Sequence, residues 1–368
     1  MSEWKKVRLG DILLIQKKSK IKASDGIENG IYPFFTCSND IVRTYNSAQY
    51  KGPALIFGTG GKASVHFCDT EFSTSTDCLT YYPVSSEINL DLVNKYIQSN
   101  IYLLENGFKG AGLKHVSRDY IANIEINLPD IKTQNCIVQK LNKAKNIISN
   151  SKKLLTKYDL LIKSRFIEMF GNPIQNPMNW PEKTVSSLCN SIYGGGTPSK
   201  KHLEYYTGDI PWVSSKDMKS DYIIDSLDHI TQEAVNNSSA KMVPINSIIM
   251  VIRSGILKHT LPVAINKVPI TVNQDLKAFI PSSEINVVYM ARLFKMIEKD
   301  VLSGVRAVTA DNIEFDTFKA RKIPLPPLTL QTQFATFVQQ VDKSKFTVQK
   351  ALEKTETLYK SLMQRYFA

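Results

Sequence analysis

Apolar residues along this chain fall into two long patterns of alternating four- and three-residue steps. The first runs through Ile137, Leu141, Ala144, Ile148, Ser151, Leu155, Tyr158, Ile162, Arg165 and Met169. The second runs through Phe334, Val338, Val341, Lys345, Val348, Leu352, Thr355, Tyr359, Leu362 and Tyr366. Such spacing predicts the seam of a coiled coil, because it keeps one stripe of each helix facing a partner for about five heptads. The buried face of an ordinary bundle helix has the same periodicity, but globular helices seldom run so far.

The two stretches are copies of one another. Ile126-Asn127-Leu128-Pro129 opens the first and Ile323-Pro324-Leu325-Pro326 the second. Beyond them Gln134, Lys153, Leu155, Lys157, Leu161, Lys163, Ser164 and Phe170 match Gln331, Lys350, Leu352, Lys354, Leu358, Lys360, Ser361 and Phe367 without a gap. Loops drift in length and packed helices do not, so an ungapped repeat predicts a rigid element of fixed length. The segments before the helices repeat as well. The opening with Trp4, Val7, Leu9 and Ile12 is similar to the opening with Trp180, Val185 and Leu188, at an offset near 176, and Pro33-Phe34-Phe35-Thr36 with Asn39 matches Pro211-Trp212-Val213-Ser214 with Asp217. Gly58 is aligned with Gly255, Ser85-Ser86-Glu87-Ile88-Asn89 with Ser282-Ser283-Glu284-Ile285-Asn286, and Gly107 and Lys109 with Gly304 and Arg306. The offset widens between Asp217 and Gly255, which places an insertion there, with a short helix expected around 231–235.

Short β-leaning runs at 54–57, 64–67, 78–82, 247–252 and 262–265 are bounded by Gly, Pro, Asn or Asp and predict strands. Segments 90–105 and 287–299 read as helices. The expected class is α+β: two α/β domains over 1–129 and 172–326, followed by long helices over 130–171 and 327–368. The second domain lies between the end of one helix and the start of the other, and domain termini often lie close together. The helices are therefore expected to pair as an antiparallel coiled coil, a stiff rod with one domain at each end.

A length of 368 residues suits two or three domains, and the net charge of +12 points to a polyanionic partner. Residues 131–170 alone hold nine Lys or Arg against two acids, so some of the rod is expected to face DNA. The five cysteines, Cys37, Cys68, Cys78, Cys136 and Cys189, show no C-x-x-C spacing. Free thiols in a cytoplasmic protein are expected, with no metal site. The apolar runs are too short to cross a bilayer.

Catalytic patterns fail one by one. Gly58-Thr59-Gly60-Gly61-Lys62-Ala63 lacks a phosphate loop's hydroxyl at Ala63 and its first glycine at Ile56. Gly194-Gly195-Gly196-Thr197-Pro198 lacks the lysine, and Asn172-Pro173-Ile174-Gln175 is not the motif of an amino-methyltransferase. Asp275-Leu276-Lys277 resembles part of a nuclease site without an upstream carboxylate. The histidines at 66, 115, 202, 229 and 259 form no triad or ligand set. The chain reads as non-catalytic, with no cofactor of its own.

Polar and basic loops remain, at matching places in the two domains. Asn39 and Arg43 stand against Ser215 and Lys216; Thr59 and Lys62 against Arg253 and Lys258; Lys109 and Lys114 against Arg306. Thr197, Ser199, Lys200 and Lys201 form a basic glycine-led loop, and Asn273-Gln274 offers two amides. Arg and Lys donate to guanine edges and phosphates, while Asn and Gln pair bidentately with adenine, so these are the side chains that read double-stranded DNA. Solvated loop surface on a coiled-coil adaptor that binds proteins is the alternative.

The opening at Trp180, the Gly195-Gly196-Thr197-Pro198-Ser199 loop, Ile210-Pro211-Trp212-Val213, Asn273-Gln274, the Leu325-Pro326 junction and Gln331 together resemble the specificity subunit of type I restriction-modification enzymes. The first domain has Pro33-Phe34-Phe35-Thr36 but no Gly-Gly-Thr-Pro loop. The resemblance covers nearly the whole chain. It implies a protein without activity of its own that joins two modification subunits, which bind S-adenosylmethionine and methylate adenine. Restriction subunits that hydrolyse ATP with Mg²⁺ and cut DNA complete such an enzyme. Each domain is then expected to read one half of a split, asymmetric site. Two readers on one face of B-DNA imply an unread spacer of roughly 5 to 8 bp.

Overall fold

The computed structural model describes residues 4–40, 43–112, 114–304, 306, 307 and 311–368. The chain divides into two compact units, Met1–Lys153 with Gln349–Ala368, and Leu154–Val348. Each takes one globular part and one section of both long helices, which run Ile131–Phe170 and Leu328–Phe367.

Every predicted seam position is buried or half-buried. In the first unit Ile137 and Leu141 share a core with Phe367, against which Tyr359 and Leu362 pack, and Lys152 pairs with Glu356 at 2.8 Å. In the second unit Ile162 shares a core with Phe334, Val338 and Val341, and Lys345 reaches Asp159 at 2.5 Å. Residue numbers rise on one helix as they fall on the other, so the sections pair antiparallel within each unit. One departure stands out at the end of the first helix. Phe166 and Phe170 lie off the seam yet are each only 1% exposed. They meet Tyr289 and Phe334 with ring centroids 4.8 to 5.5 Å apart. The last turns are buried by the domain helix Val287–Met296 as well as by the partner helix, so the apolar stripe widens there.

The sheets show why the halves read as copies. In the first unit β1 (Lys5–Arg8) pairs antiparallel with β9 (Glu125–Leu128). β2 (Leu13–Ile15), β8 (Cys78–Pro83), β5 (Ala54–Gly58) and β6 (Ser64–Cys68) form a four-stranded sheet in that order. β4 (Arg43–Tyr45), β3 (Tyr32–Phe35) and β7 (Ser73–Thr74) form a second, with β3 and β7 parallel. The second unit repeats this plan. β10 (Glu182–Thr184) pairs with β21 (Lys322–Pro324), and β11 (Cys189–Gly194), β18 (Leu276–Pro281), β15 (Ile248–Val251) and β16 (Val263–Asn266) line up in order. β14 (His229–Ile230), β12 (Ile210–Val213) and β17 (Thr271–Val272) make the small sheet, with β12 and β17 parallel. β5 and β15 are buried along their whole length, which is why they read as unbroken apolar runs. The insertion adds β13 (Tyr222–Ile223) parallel to β16 and the short helix Gln232–Asn236, whose cap Thr231 accepts from Ala234 N–H at 3.1 Å.

Register corrects one alignment. Gly58 pairs with Cys78 on β8, and Val251 pairs with Leu276 on β18. Gly58 is thus the counterpart of Val251 and not of Gly255. The hairpin loop that follows spans 59–63 in the first unit and 252–261 in the second, so part of the extra length sits in that loop.

The repeated glutamine has a physical role. Gln134 Oε1 accepts from Asn89 N–H at 2.9 Å, and its Nε2 donates to Pro129 C=O at 2.9 Å. Gln331 accepts from Asn286 N–H and donates to Pro326 C=O, both at 2.8 Å. Asn89 and Asn286 in turn cap the domain helices Leu90–Ser99 and Val287–Met296. One buried amide therefore fastens each domain helix to the start of its long helix.

Candidate nucleic-acid interface

In the first unit the structure gathers Asn39, Thr59, Lys62, Lys109 and Lys114 around one cleft. Asn39 and Lys62 line a space of about 580 Å³ with Cys37, Asp77 and His115. Thr59 Oγ1 donates to Asp77 C=O at 2.8 Å, so its hydroxyl shapes the loop. Lys114 C=O accepts from Gly61 N–H at 3.2 Å, and Lys109 and His115 exchange backbone hydrogen bonds of 2.9 and 3.0 Å. That leaves the ammonium ends of Lys62, Lys109 and Lys114 exposed. His66 holds the 37–40 loop by a 2.8 Å contact with Ser38 C=O, and burial pushes its pKa down, which keeps the ring neutral. Cys37 Sγ donates to Asp77 C=O at 3.0 Å and accepts from Gly60 N–H at 3.4 Å, which ties the 37–40 loop to the hairpin loop. Arg43 points elsewhere: its Nη1 donates to Ala23 and Gly26 C=O, both at 3.2 Å, which fastens the 23–26 turn.

In the second unit three candidate groups converge on the turn between β17 and β18. Thr197 Oγ1 donates to Gln274 Oε1. Arg253 Nε donates to Asp275 Oδ1 at 2.7 Å, with Nη2 also at 2.7 Å. Asn273 requires a correction. It is 8% exposed, its Oδ1 accepts from Asp275 N–H at 3.1 Å and its Nδ2 donates to Asp275 Oδ2 at 3.4 Å. Its amide closes the turn, so Gln274 is the member of that pair offered to solvent.

The glycine-led loop is seated by close approach. A Cβ on Gly195 would stand 1.7 Å from Val272 C=O, and one on Gly196 2.1 Å from Ser239 Oγ. The indole of Trp212 donates to Gly196 C=O at 3.0 Å, and Tyr206 OH to Pro198 C=O at 2.6 Å. Ser199, Lys200 and Lys201 follow as an exposed strip. Ser215 and Lys216 lie on a turn closed by Asp217, which accepts from Ser214 N–H at 2.8 Å and Leu227 N–H at 2.9 Å. Lys258 ends the exposed turn Gly255–Lys258. Arg306 begins a short strand, and its side chain lies outside the described part of the molecule.

Sequence reasoning missed Asp275, although the Asp275-Leu276-Lys277 triplet drew notice as a nuclease fragment. The two charges serve separate ends: Asp275 holds Arg253, and Lys277 Nζ sits 4.9 Å from the Phe315 ring centroid. Among the described residues no group of three His, Cys, Asp or Glu side chains is placed to hold a metal ion. Nor is any described helix long and apolar enough to cross a membrane.

Known proteins share both the sequence pattern and the fold. The model of the type I restriction modification DNA specificity domain matches residues 1–157 and again 177–356. The specificity subunit of the type I restriction enzyme EcoR124I/EcoR124II of Escherichia coli is 30% identical over 365 residues, which is 92% of this chain and 86% of that protein. The MjaIX specificity subunit of Methanocaldococcus jannaschii is 32% identical over 199 residues, covering 52% of this chain and 44% of its own length. Among solved structures, the S subunit of a type I restriction-modification system from M. genitalium superposes with a TM-score of 0.73 at 15% identity, over 100% of this chain and 96% of that one. The double match accounts for the duplicated sheets and the paired helices together: the chain belongs to the family of type I restriction-modification DNA specificity subunits.

Proposed function

We propose that each unit of this specificity subunit reads one half of a split DNA site, and that the long helices set the unread gap and present outer faces to two modification subunits. One observation carries this reading: a single sub-fold occurs twice, with unequal loops at the equivalent hairpin, 59–63 against 252–261. Equal scaffolds with unequal loops suit unequal half-sites. The chain performs no bond chemistry itself. S-adenosylmethionine belongs to the modification subunits, ATP and Mg²⁺ to the restriction subunits, and the assembly acts on double-stranded DNA in the cytoplasm. The net charge of +12 supports phosphate contact, and binding should weaken steeply with salt.

Mapping methylated adenines across a genome, with and without this chain, tests the proposal. The expected result is a bipartite, asymmetric motif with a gap of roughly 5 to 8 bp, present only when chain and modification subunits are expressed together. A continuous palindromic motif dependent on this chain would overturn it. A binding assay on the assembled complex that showed no preference for DNA would favour the protein-binding adaptor instead.

A further inference from the structure

We infer that Arg253 reads a guanine in the second unit's half-site and that Asp275 is the residue that positions it, an inference that rests on the proposed DNA reading. Nε and Nη2 of Arg253 both lie 2.7 Å from Asp275 Oδ1. The carboxylate is itself fixed, because Asn273 holds both its backbone N–H and its Oδ2. The backbone of Arg253 is anchored too, bridged to Asn312 and hydrogen-bonded to Asp275 C=O at 3.3 Å. The side chain is nonetheless half exposed, at 48%. Among the described residues Nη1 has no hydrogen-bond partner.

Two arguments separate a base contact from a phosphate contact. A carboxylate beside the guanidinium cancels much of the net charge that draws a phosphate, so the arrangement is poor for backbone attraction. It also fixes the plane of the donor fork before DNA arrives, which lowers the entropy cost of a bidentate contact. A planar pair of donors with fixed orientation matches the O6 and N7 acceptors of guanine in the major groove. Sheet register puts Gly60 at the equivalent position of the first unit, so this reader belongs to one half-site only.

The test uses the full chain assembled with its modification subunits and a randomised double-stranded DNA library, sequenced after binding. The wild-type complex is expected to select a bipartite site with a strongly preferred guanine in one half. Arg253→Lys keeps the charge and removes the fork, and should relax that guanine by roughly ten- to a hundredfold while leaving the other half unchanged. Asp275→Ala should weaken the same preference, and adding it to Arg253→Lys should cost nothing further there. Replacing that guanine by 7-deazaguanine should penalise wild type more strongly than Arg253→Lys. A uniform loss across all sequences in Arg253→Lys would show a phosphate contact and overturn the inference, as would an unchanged guanine preference. If wild type selects a bipartite site while either of these occurs, the proposed function stands and the inference falls; if wild type selects no site, both fall.

Discussion

The two units place a cation at the same point of the same helix and neutralise it by different means. Lys95 in the first corresponds to Arg292 in the second. Lys95 is 6% exposed and bonds Asp91 one turn back on its own helix; Asp91 in turn accepts from Asn142 of the long helix at 2.9 Å. Burial pushes the Lys95 pKa down in spite of that partner. Arg292 instead meets Asp221, from the strand region that the insertion supplies, at 2.7 Å, and Asp342 of the second long helix at 3.7 Å. Lys295 and Lys345 also pair with Asp221, and Tyr222 OH donates to Asp342 at 2.7 Å. Burial opposes the charge of Arg292, but Asp221 and Asp342 outweigh it and raise its pKa. An ion pair with both charges on one helix, tied outward only through the Asn142 amide, costs nearly as much to bury as it returns, whereas a network of charges across several elements fixes their relative placement.

The largest effect that would sharpen this contrast is on Arg292. Arg292→Met leaves two half-buried carboxylates short of a partner and should cost up to about 3–5 kcal/mol, while the double change Asp91→Leu with Lys95→Met should be neutral or stabilising. Denaturant unfolding with amide exchange to assign the loss to a unit checks both. Equal losses would erase the distinction. The glutamine clamps probe where the units agree. Gln134→Ala and Gln331→Ala each orphan a half-buried N–H and a buried carbonyl and should each cost about 1–3 kcal/mol. A gap between them of more than about 1 kcal/mol would break the equivalence of the two units.

The smallest effect is acidic. Burial raises the Asp221 pKa, but Lys295, Arg292 and Lys345 overcome it and hold the carboxyl far below the ordinary range. A carboxylate depressed in the fold stabilises fully above its unfolded value near 3.9, and that contribution drains as pH falls through the folded value. Stability of the second unit should therefore decline below about pH 4, by at most about 1.4 kcal/mol per pH unit from this group. Asp221→Asn should flatten the slope in an acid titration of unfolding free energy. An unchanged slope would remove Asp221 from the network's account.

Much of the fold is legible in the chain because helix packing and strand burial leave periodic marks. The seam positions are all covered, and the strand runs at 54–57 and 78–82 became β5 and β8 nearly unchanged. Phe166 and Phe170 were illegible, since a heptad pattern registers the partner helix and not a domain folding back from far along the chain. Gly58 and Gly255 looked equivalent because both sit near a buried strand, but register is set by hydrogen bonds to β8 and β18, and a longer loop shifted one glycine. At the candidate interface the residue types are legible and their commitments are not. Arg43 answers to two backbone carbonyls, which carry no sequence signature, and Asn273 is consumed by its own turn. Asp275 was visible as a charge, but its role needs the approach of Arg253 from another loop.

The first unit is closed by residues from the far end of the chain. Phe367 is buried in its core beside Ile137 and Leu141, and Asn100 donates to Phe367 C=O at 2.8 Å. During synthesis the N-terminal half therefore emerges first and is completed last. Its apolar wall of Leu141, Ile137 and Tyr96 waits uncovered while the whole second unit is made, a window in which chaperone capture or self-association competes with folding. A ribosome that stops before residue 349 releases a chain whose second unit has all its pieces and whose first does not.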